Sequence, residues 1–286
     1  MIEPVLKGQA LLDDIEAAQP MSGEVCVWWL GQSGYALKTV SELIYLDLYL
    51  SEHLTKKYAT TEKPHIRMTE APLHGSDITN ASWVFASHKH SDHFDPETLP
   101  DLFTASPNAR FILPAALSDH AVGLGLNRER LIPTRGDETL MVGSMTVHSL
   151  PSAHPTFEFS EAGGYPFLGY LIEVDGLRLY HSGDTLVYEG LADRLRAFAP
   201  DLLFLPINGT DARRDALKVP PNMNAAEAVA LAKAVGSGTV VPCHYDMFTF
   251  NTANVNDFAA LAEAEGVPFQ ILRPGERWTF SPRRPA

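Results

Sequence analysis

The sequence is poor in cysteine, lacks long apolar runs and carries few basic residues. Its 286 residues include two cysteines, Cys26 and Cys243, far apart in apolar, strand-like stretches. We therefore expect reduced thiols in the core and no disulfide framework. Apolar runs such as VCVWWL are far shorter than the roughly 20 residues of a membrane-spanning helix, so no span is predicted. The N-terminus lacks a basic leader and an apolar signal segment, which favours a cytoplasmic location.

Acidic residues outnumber basic ones by 35 to 22, which gives a formal net charge of −13 at pH 7. A surface of this sign repels phosphate backbones and anionic membranes, so neither nucleic acid nor membrane is expected as a partner. Hydrophobic residues make up 45% of the chain, enough for a sizeable core. The composition indicates a folded globular enzyme or binding protein.

The order of predicted elements begins with a β-meander over residues 25–50, followed by an irregular polar insertion at about 51–80. Strands and helices then alternate, without a linker or an internal repeat. Asp95 and Pro96 are predicted to cap and begin a helix. The pattern favours one domain over residues 1–286, with two sheets face to face and helices outside.

Turn and capping signals fix two later elements. Asp175 and Gly176 separate two alternating apolar runs, which predicts a β-hairpin. Asn224 and Glu227 have the spacing of a capping box, and Gly236 is expected to end the helix that follows them.

A cluster of histidines follows the apolar strand SWVFAS. His88, His90, Asp92 and His93 lie within six residues. Burying an imidazole without a partner costs free energy, so packing alone does not explain three of them beside a carboxylate. The spacing predicts a metal site at the end of the strand.

Three further residues each follow directly after a predicted strand, as the histidine cluster does: His154, Asp184 and His244. Loops at one edge of a sheet can bring them to the cluster. Nitrogen and oxygen donors of this kind suit zinc, manganese or iron. Seven such ligands exceed what one ion takes, but they suit two ions about 3.5 to 4 Å apart.

The predicted ligands divide between two ions. The first ion takes His88, His90 and His154, the second takes Asp92, His93 and His244, and Asp184 bridges them. His148, six residues before His154, is the rival of His154, but it lies within a predicted strand and not at its end.

With these residues, the sequence resembles the metallo-β-lactamase superfamily, whose H-x-H-x-D-H signature stands at residues 88–93. Asp47 matches the first acidic motif of the superfamily, and a carboxylate there is expected to orient a metal-bound histidine without binding the metal itself. The stretches WWLGQSGYALKT, HSGDT and PCHYDMF are similar to the lactonase branch typified by L-ascorbate-6-phosphate lactonase. The resemblance implies a four-layer αββα sandwich of the α/β (α+β) class, with the metals at one edge of the two sheets.

The resemblance also implies hydrolysis with two divalent metal ions, zinc or manganese, with iron as a third option. A metal-bridging hydroxide would attack the substrate, and Asp92 could orient it and take its proton. The leading hypothesis is a hydrolase of a small ester or lactone, such as an anionic sugar-acid lactone. The alternatives are a phosphodiesterase acting on a small phosphodiester and a non-hydrolytic di-iron redox protein.

The substrate-binding candidates are Asn208, Arg213, Arg214 and Tyr245, near the ends of the last predicted strands. Arginine side chains suit the recognition of a carboxylate or phosphate, although a solvated charged loop explains Arg213 and Arg214 equally well. Lys56, Lys57 and Arg67 in the insertion suggest the same role with less support. An exposed ring of the pair Trp28-Trp29 would favour a homo-oligomer, and burial beneath a helix is the alternative.

Overall fold

Strands and helices of the protein are defined by a computed structural model that describes residues 1–282. The first seven strands in the chain are β1 Val25–Gly31, β2 Gly34–Lys38, β3 Leu43–Leu46, β4 Trp83–Phe85, β5 Arg110–Pro114, β6 Leu131–Thr134 and β7 Glu138–Val142. The later strands are β8 Met145–Pro151, β9 Leu168–Val174, β10 Leu177–His181, β11 Leu202–Pro206, β12 Thr239–Cys243 and β13 Arg277–Phe280. The helices are α1 Gln9–Ala17, α2 His53–Lys57, α3 Thr98–Ala105, α4 Ser118–Gly123, α5 Leu191–Phe198, α6 Ala212–Ala216, α7 Ala225–Val235 and α8 Val255–Glu265.

Two mixed sheets form the centre of the fold. The first has the order β13-β1-β2-β3-β4-β5-β6 and the second the order β12-β11-β10-β9-β8-β7. In the first sheet β3, β4, β5 and β6 run parallel, and β13 pairs antiparallel with β1 at the edge. In the second sheet β8, β10, β11 and β12 share one direction, because β9 is antiparallel to both β8 and β10. The carboxyl ends of these four strands therefore meet at one edge.

Strand β1 is buried on both faces, and its two faces belong to different parts of the core. Val27 and Trp29 pack between the sheets, whereas Cys26 and Trp28 pack on the outer face, in a cluster that includes residues of α1 and α3. This alternation follows from the two-residue period of a strand. Helices α5, α7 and α8 contribute to the cluster of the second sheet. The predicted αββα sandwich is confirmed.

Both tryptophans of β1 are buried. The Trp28 indole donates to Asp14 Oδ2 of α1 at 2.8 Å, and the Trp29 indole donates to the Gln32 carbonyl at 3.0 Å. Burial beneath a helix is thus the correct alternative for Trp28, and neither ring offers an exposed surface for a subunit contact. The thiols of Cys26 and Cys243 are free and buried, as predicted.

The predicted hairpin and capping box are both present. Asp175 and Gly176 have φ angles of 49° and 78° between β9 and β10, as a two-residue turn with positive φ at both positions requires. At the start of α7, Asn224 Oδ1 accepts from Glu227 N at 3.0 Å, and Glu227 Oε2 accepts from Asn224 N at 2.9 Å. Gly236 follows the last turn in the left-handed conformation.

The helix predicted to begin at Pro96 begins two residues later, at Thr98. Asp95 is fully buried, and one of its oxygens accepts from Thr98 Oγ1 at 2.6 Å. The same carboxylate accepts from Leu50 N at 3.2 Å and Ser51 N at 3.0 Å. The Asp95 carboxylate thus connects the start of α3 to the segment that follows β3. Pro96 and Glu97, which lie between Asp95 and Thr98, form a turn and not the first turn of the helix.

The segment at residues 51–80 contains α2 and a short 3₁₀ turn at Gly75–Asp77. It pairs with the loop after β12: Met68 N donates to Met247 O at 2.7 Å, and Thr249 N donates to Ile66 O at 2.9 Å. These bonds place the segment against the loop that follows His244. In the described part of the chain, every helix is too short or too polar to cross a bilayer.

Candidate metal centre

The predicted ligands lie on loops at the carboxyl ends of their strands. The cluster from His88 to His93 follows β4, and His154, Asp184 and His244 follow β8, β10 and β12. Since β8, β10 and β12 run in one direction, their loops meet at a single edge, and the loop after β4 of the first sheet reaches the same place. The structure thereby brings all seven predicted ligands together in two groups.

The first group consists of His88, His90, His154 and Asp184, and one donor atom of each lies within 4.8 Å of the others. His88 Nε2 and His90 Nδ1 are 2.9 Å apart. His154 lies across from them, with its ring centroid 5.4 Å from that of His88 and 5.1 Å from that of His90. Three imidazoles and a carboxylate at this spacing match the donor set of a divalent transition metal.

The second group consists of Asp92, His93 and His244, whose donor atoms also lie within 4.8 Å of one another. The rings of His93 and His244 are stacked with centroids 5.3 Å apart, and Asp92 Oδ2 is 3.7 Å from His93 Nε2. Two imidazoles and a carboxylate thus face a common point beside the first group.

Asp184 lies between the two groups. Its Oδ1 atom is 2.7 Å from His244 Nε2 and 3.2 Å from His93 Nε2, both in the second group. Its Oδ2 atom is 3.8 Å from His154 Nε2 of the first group. One oxygen therefore faces each group, which is the arrangement expected of a bridging carboxylate.

Buried atoms without hydrogen-bond partners mark the centre of the second group. His93 Nε2, Asp184 Oδ1 and His244 Nε2 are shielded from solvent and make no hydrogen bond with acceptable geometry within residues 1–282, although they approach one another closely. Buried polar atoms are normally satisfied, so three converging exceptions need a common partner. A cation fits all three, and these residues would hold it.

Hydrogen bonds on the far side of the rings of His93, His154 and His88 turn their Nε2 atoms towards the other ligands. His93 Nδ1 donates to Asp47 Oδ2 at 2.7 Å, and His154 Nδ1 donates to the Pro221 carbonyl at 3.2 Å. Ser87 Oγ donates to Asp47 Oδ2 at 2.5 Å, so it accepts from His88 Nδ1 at 3.0 Å. With a metal bound, each ring would keep its proton on Nδ1 and present the lone pair of Nε2.

Asp47 therefore orients histidines of both groups, directly for His93 and through Ser87 for His88. Its second oxygen accepts from Ser87 N at 2.7 Å, so both oxygens of Asp47 accept hydrogen bonds. An asparagine at this position would place the NH₂ group of its amide against a hydrogen-bond donor in either orientation. His181, with Nε2 3.1 Å from the Ser33 carbonyl, packs beside this carboxylate.

Asp47→Asn should weaken metal affinity by about 10- to 100-fold, because the amide disrupts the orientation of His93 and His88. The measurement is competition with a chromogenic chelator. Asp175→Asn is the matched control, since both Asp175 oxygens also accept from one residue, Ser41, in a turn outside the two groups. Equal affinities for the two variants would contradict the role given to Asp47.

Burial and neighbouring charges set the protonation states of His88, His154 and Asp184 that metal binding needs. Burial and neighbouring rings lower the pKa of His88 well below its usual value, and burial lowers that of His154 to about 4. Burial alone would raise the pKa of Asp184, but the adjacent His244 and His93 hold it well below its usual value. Neutral His88 and His154 and an ionised Asp184 are the forms that bind a metal at neutral pH. His93 differs: against the effect of burial, the carboxylates of Asp184, Asp92 and Asp47 raise its pKa well above its usual value, so a cation bound there would displace a proton.

Gln32 belongs to the site but was not predicted. It lies in the turn between β1 and β2 with a φ of 52°, and its Nε2 is 2.9 Å from Asp92 Oδ2 and 3.1 Å from His244 Nδ1. The sequence signal was the stretch GQSG after an apolar strand, from which only a turn was inferred. A buried polar residue between two turn-forming glycines at a strand end could have identified it.

The other predicted residues have different positions. His148 lies in β8 and faces Glu173, with His148 Nε2 3.3 Å from Glu173 Oε1. Tyr245 is not brought to the site: its ring stacks on Trp29 in the core, and its hydroxyl contacts Leu272 O and Leu272 N. It has no free polar atom to offer a substrate.

Asn208 and Arg214 lie in one hydrogen-bond network after β11. Arg214 Nε donates to Asp211 Oδ2 at 2.7 Å, so its charge is partly neutralised within the protein. Arg213 is exposed, with its guanidinium 5.4 Å from the centre of the Phe250 ring. Of the two arginines, Arg213 is the one free to meet an anion.

Comparisons with known proteins agree with this geometry. A family model described as "Beta-lactamase superfamily domain" matches residues 60–245. A protein named "Probable L-ascorbate-6-phosphate lactonase UlaG" of Salmonella heidelberg is 25% identical over 285 residues, covering 90% of this chain and 79% of the relative. A protein of the same name from Escherichia fergusonii matches with the same identity and coverage.

Two solved structures share the fold. A possible metal-dependent hydrolase from Veillonella parvula superposes with a TM-score of 0.72 at 16% identity, covering 92% of this chain and 100% of that structure. An isothiocyanate hydrolase from Delia radicum gut bacteria superposes with a TM-score of 0.71 at 17% identity, covering 90% of this chain and 99% of that structure. At these identities the likeness extends to the fold alone.

Proposed function

The chain belongs to the beta-lactamase superfamily and is a metal-dependent hydrolase, and on this premise we propose that it opens the ring of a small anionic lactone. The observation that carries the proposal is the Asp184 carboxylate, with one oxygen facing each of two donor groups. Two divalent cations held there, zinc or manganese, would acidify a water molecule and polarise a carbonyl oxygen. Lactone opening needs both effects.

Asp92 is the residue suited to handle the proton. The nearby His93 lowers its pKa, against the effect of burial, so the carboxylate is ionised at neutral pH. Gln32 Nε2 donates to Asp92 Oδ2 at 2.9 Å and fixes its orientation. A fixed carboxylate beside the attacked carbonyl can accept the proton of the incoming water and return one to the leaving alkoxide.

Exposed cations on segments next to the site support an anionic substrate. Lys57 in α2 is exposed, with its ammonium 5.3 Å from the centre of the Tyr58 ring. Arg213 of α6 is also exposed, and its guanidinium lies beside the ring of Phe250, a residue of the loop that follows His244. On a protein with a net charge of −13, exposed cations on these segments favour a carboxylate or phosphate on the substrate.

The relatives support the same substrate class. The name of the Salmonella heidelberg relative assigns it a phosphorylated lactone, and the match spans 90% of this chain. The predicted lactone and the predicted anionic group both agree with that name.

The proposal is tested by loading one preparation with Mn²⁺ or Zn²⁺ and following acid release at constant pH. We expect turnover of D-galactono-1,4-lactone and γ-butyrolactone, and little release of nitrophenol from bis(4-nitrophenyl) phosphate. Treatment with a chelator should remove the activity, and readdition of the metal should restore it. Turnover of the phosphodiester without turnover of either lactone would defeat the proposal and favour a phosphodiesterase.

A further inference from the structure

A chain of side-chain amides runs from Arg214 towards the metal loops. Arg214 Nη1 donates to Asn251 Oδ1 at 3.0 Å, and Asn208 Nδ2 donates to the same oxygen at 2.8 Å. Asn222 Nδ2 then donates to Asn208 Oδ1 at 3.2 Å. Asn208, Arg214 and Asn222 are all buried.

Arginine fixes the direction of every amide in this chain. A guanidinium can only donate, so the Asn251 atom that faces it must be the oxygen. Asn208 must then present its NH₂ group to Asn251 and its oxygen to Asn222. Asn222 in turn presents its NH₂ group to Asn208, and the free atom at the end of the chain is Asn222 Oδ1, an acceptor.

Asn222 lies between two contacts to the ligand loops. The carbonyl of Pro221 accepts from His154 Nδ1 at 3.2 Å. The N–H of Met223 donates to the carbonyl of Thr185, which follows Asp184, at 2.9 Å. The backbone on either side of Asn222 is thus hydrogen-bonded to a ligand of the first donor group and to the residue that follows the bridging carboxylate.

The Asn222 Oδ1 atom lacks a partner within residues 1–282, although its side chain is only 2% exposed. A buried acceptor without a donor is unfavourable, so the site favours a group that brings one. An ammonium group would be repelled by the cations that the neighbouring residues would hold. A neutral donor is therefore favoured.

We propose that Asn222 Oδ1 accepts a hydrogen bond from a hydroxyl group of the substrate, so that the substrate is a hydroxylated lactone. The inference rests on the proposed function and narrows its substrate class. Arg214 acts here as a positioning residue: it holds the amide chain in the orientation that leaves an acceptor, and not a donor, at its end.

The test compares Asn222→Ala with the wild-type enzyme on two lactones, D-galactono-1,4-lactone with hydroxyl groups and γ-butyrolactone without them. We expect kcat/KM to fall by about 30-fold on the hydroxylated lactone and by less than about 3-fold on the other, because the lost bond is made only by the hydroxyl. Asn224→Ala is the matched control, since Asn224 lies two residues away, exposed, and serves to cap α7. It should leave the ratio of the two kcat/KM values unchanged.

Asn222→Leu, which has a similar volume, is the second variant if Asn222→Ala does not fold by circular dichroism. Equal losses on both lactones, or no loss, would overturn the inference and assign Asn222 a structural role. If the wild-type enzyme opens γ-butyrolactone but not the hydroxylated lactone, the inference fails and the proposed function stands. If the metal-loaded enzyme opens neither, both fail.

Discussion

Asp184→Asn should lower kcat/KM by about 10³-fold or more and prevent the binding of a metal pair. Asp184 is the residue whose two oxygens face different donor groups, Oδ1 towards His244 and His93 and Oδ2 towards His154. An amide replaces one of these oxygens with a group that cannot bind a cation, and it removes the negative charge that offsets two dications. The metal content per chain, measured by elemental analysis after dialysis, reports the loss independently of turnover.

Asp201→Asn provides the matched control for Asp184→Asn. Asp201 precedes β11, at the opposite edge of the same sheet, where its Oδ2 accepts from Arg178 N at 2.8 Å. We expect this variant to keep its metals and its activity. A full metal complement in Asp184→Asn, or equal losses in the two variants, would refute the bridging role.

His90→Ala should leave the protein folded but abolish turnover and metal loading of the first group. His90 is not needed for packing, because it is the one half-buried histidine among the ligands, while His88 and His154 are buried. With one imidazole missing, two nitrogens and a shared carboxylate remain in the first group, which is too few for tight binding of zinc. Circular dichroism should be unchanged, and we expect kcat/KM to fall by about 10²-fold or more.

His148→Ala separates this effect from the general cost of losing an imidazole. His148 lies in β8, six residues before His154, where its ring faces Glu173 and Thr139. We expect normal metal content and activity from this variant. If His148→Ala were inactive and His90→Ala active, the predicted ligand set would be incorrect.

The strand ends could be predicted from the sequence because each ligand directly follows a short apolar run. The run before His88 is β4, and the run before His244 is β12. Polar residues at such a boundary cannot belong to the core of the strand, and strands of one direction bring their ends to one edge. The division into two groups followed from the count of donors, since one ion does not take seven ligands.

Other parts of the site depend on contacts that sequence spacing does not encode. Tyr245 follows His244, but its ring turns into the core against Trp29, whereas Gln32 comes 212 positions earlier and contacts His244. Asn251 joins the amide chain only because the loop after β12 folds back, so that Ala253 N donates to His244 O. Such tertiary contacts decide which side chains of a loop face the two donor groups.

Elements at the ends of the chain were also missed, α1, α8 and β13 among them. Strand β13 has four residues, and its alternating half-exposed and exposed positions look like an ordinary surface segment. Its identity as a strand comes only from pairing with β1, between Val25 and Phe280 and between Trp28 and Arg277.

That pairing has a consequence for solubility. Without β13, the seven buried residues of β1 would present an open row of N–H and C=O groups, a template for association with other chains. With β13 in place, the edge strand of the sheet is a short strand of four residues that carries the charge of Arg277, and not the longer apolar strand β1. We therefore expect β13 to protect the sandwich from edge-to-edge aggregation at the edge of the sheet farthest from β6.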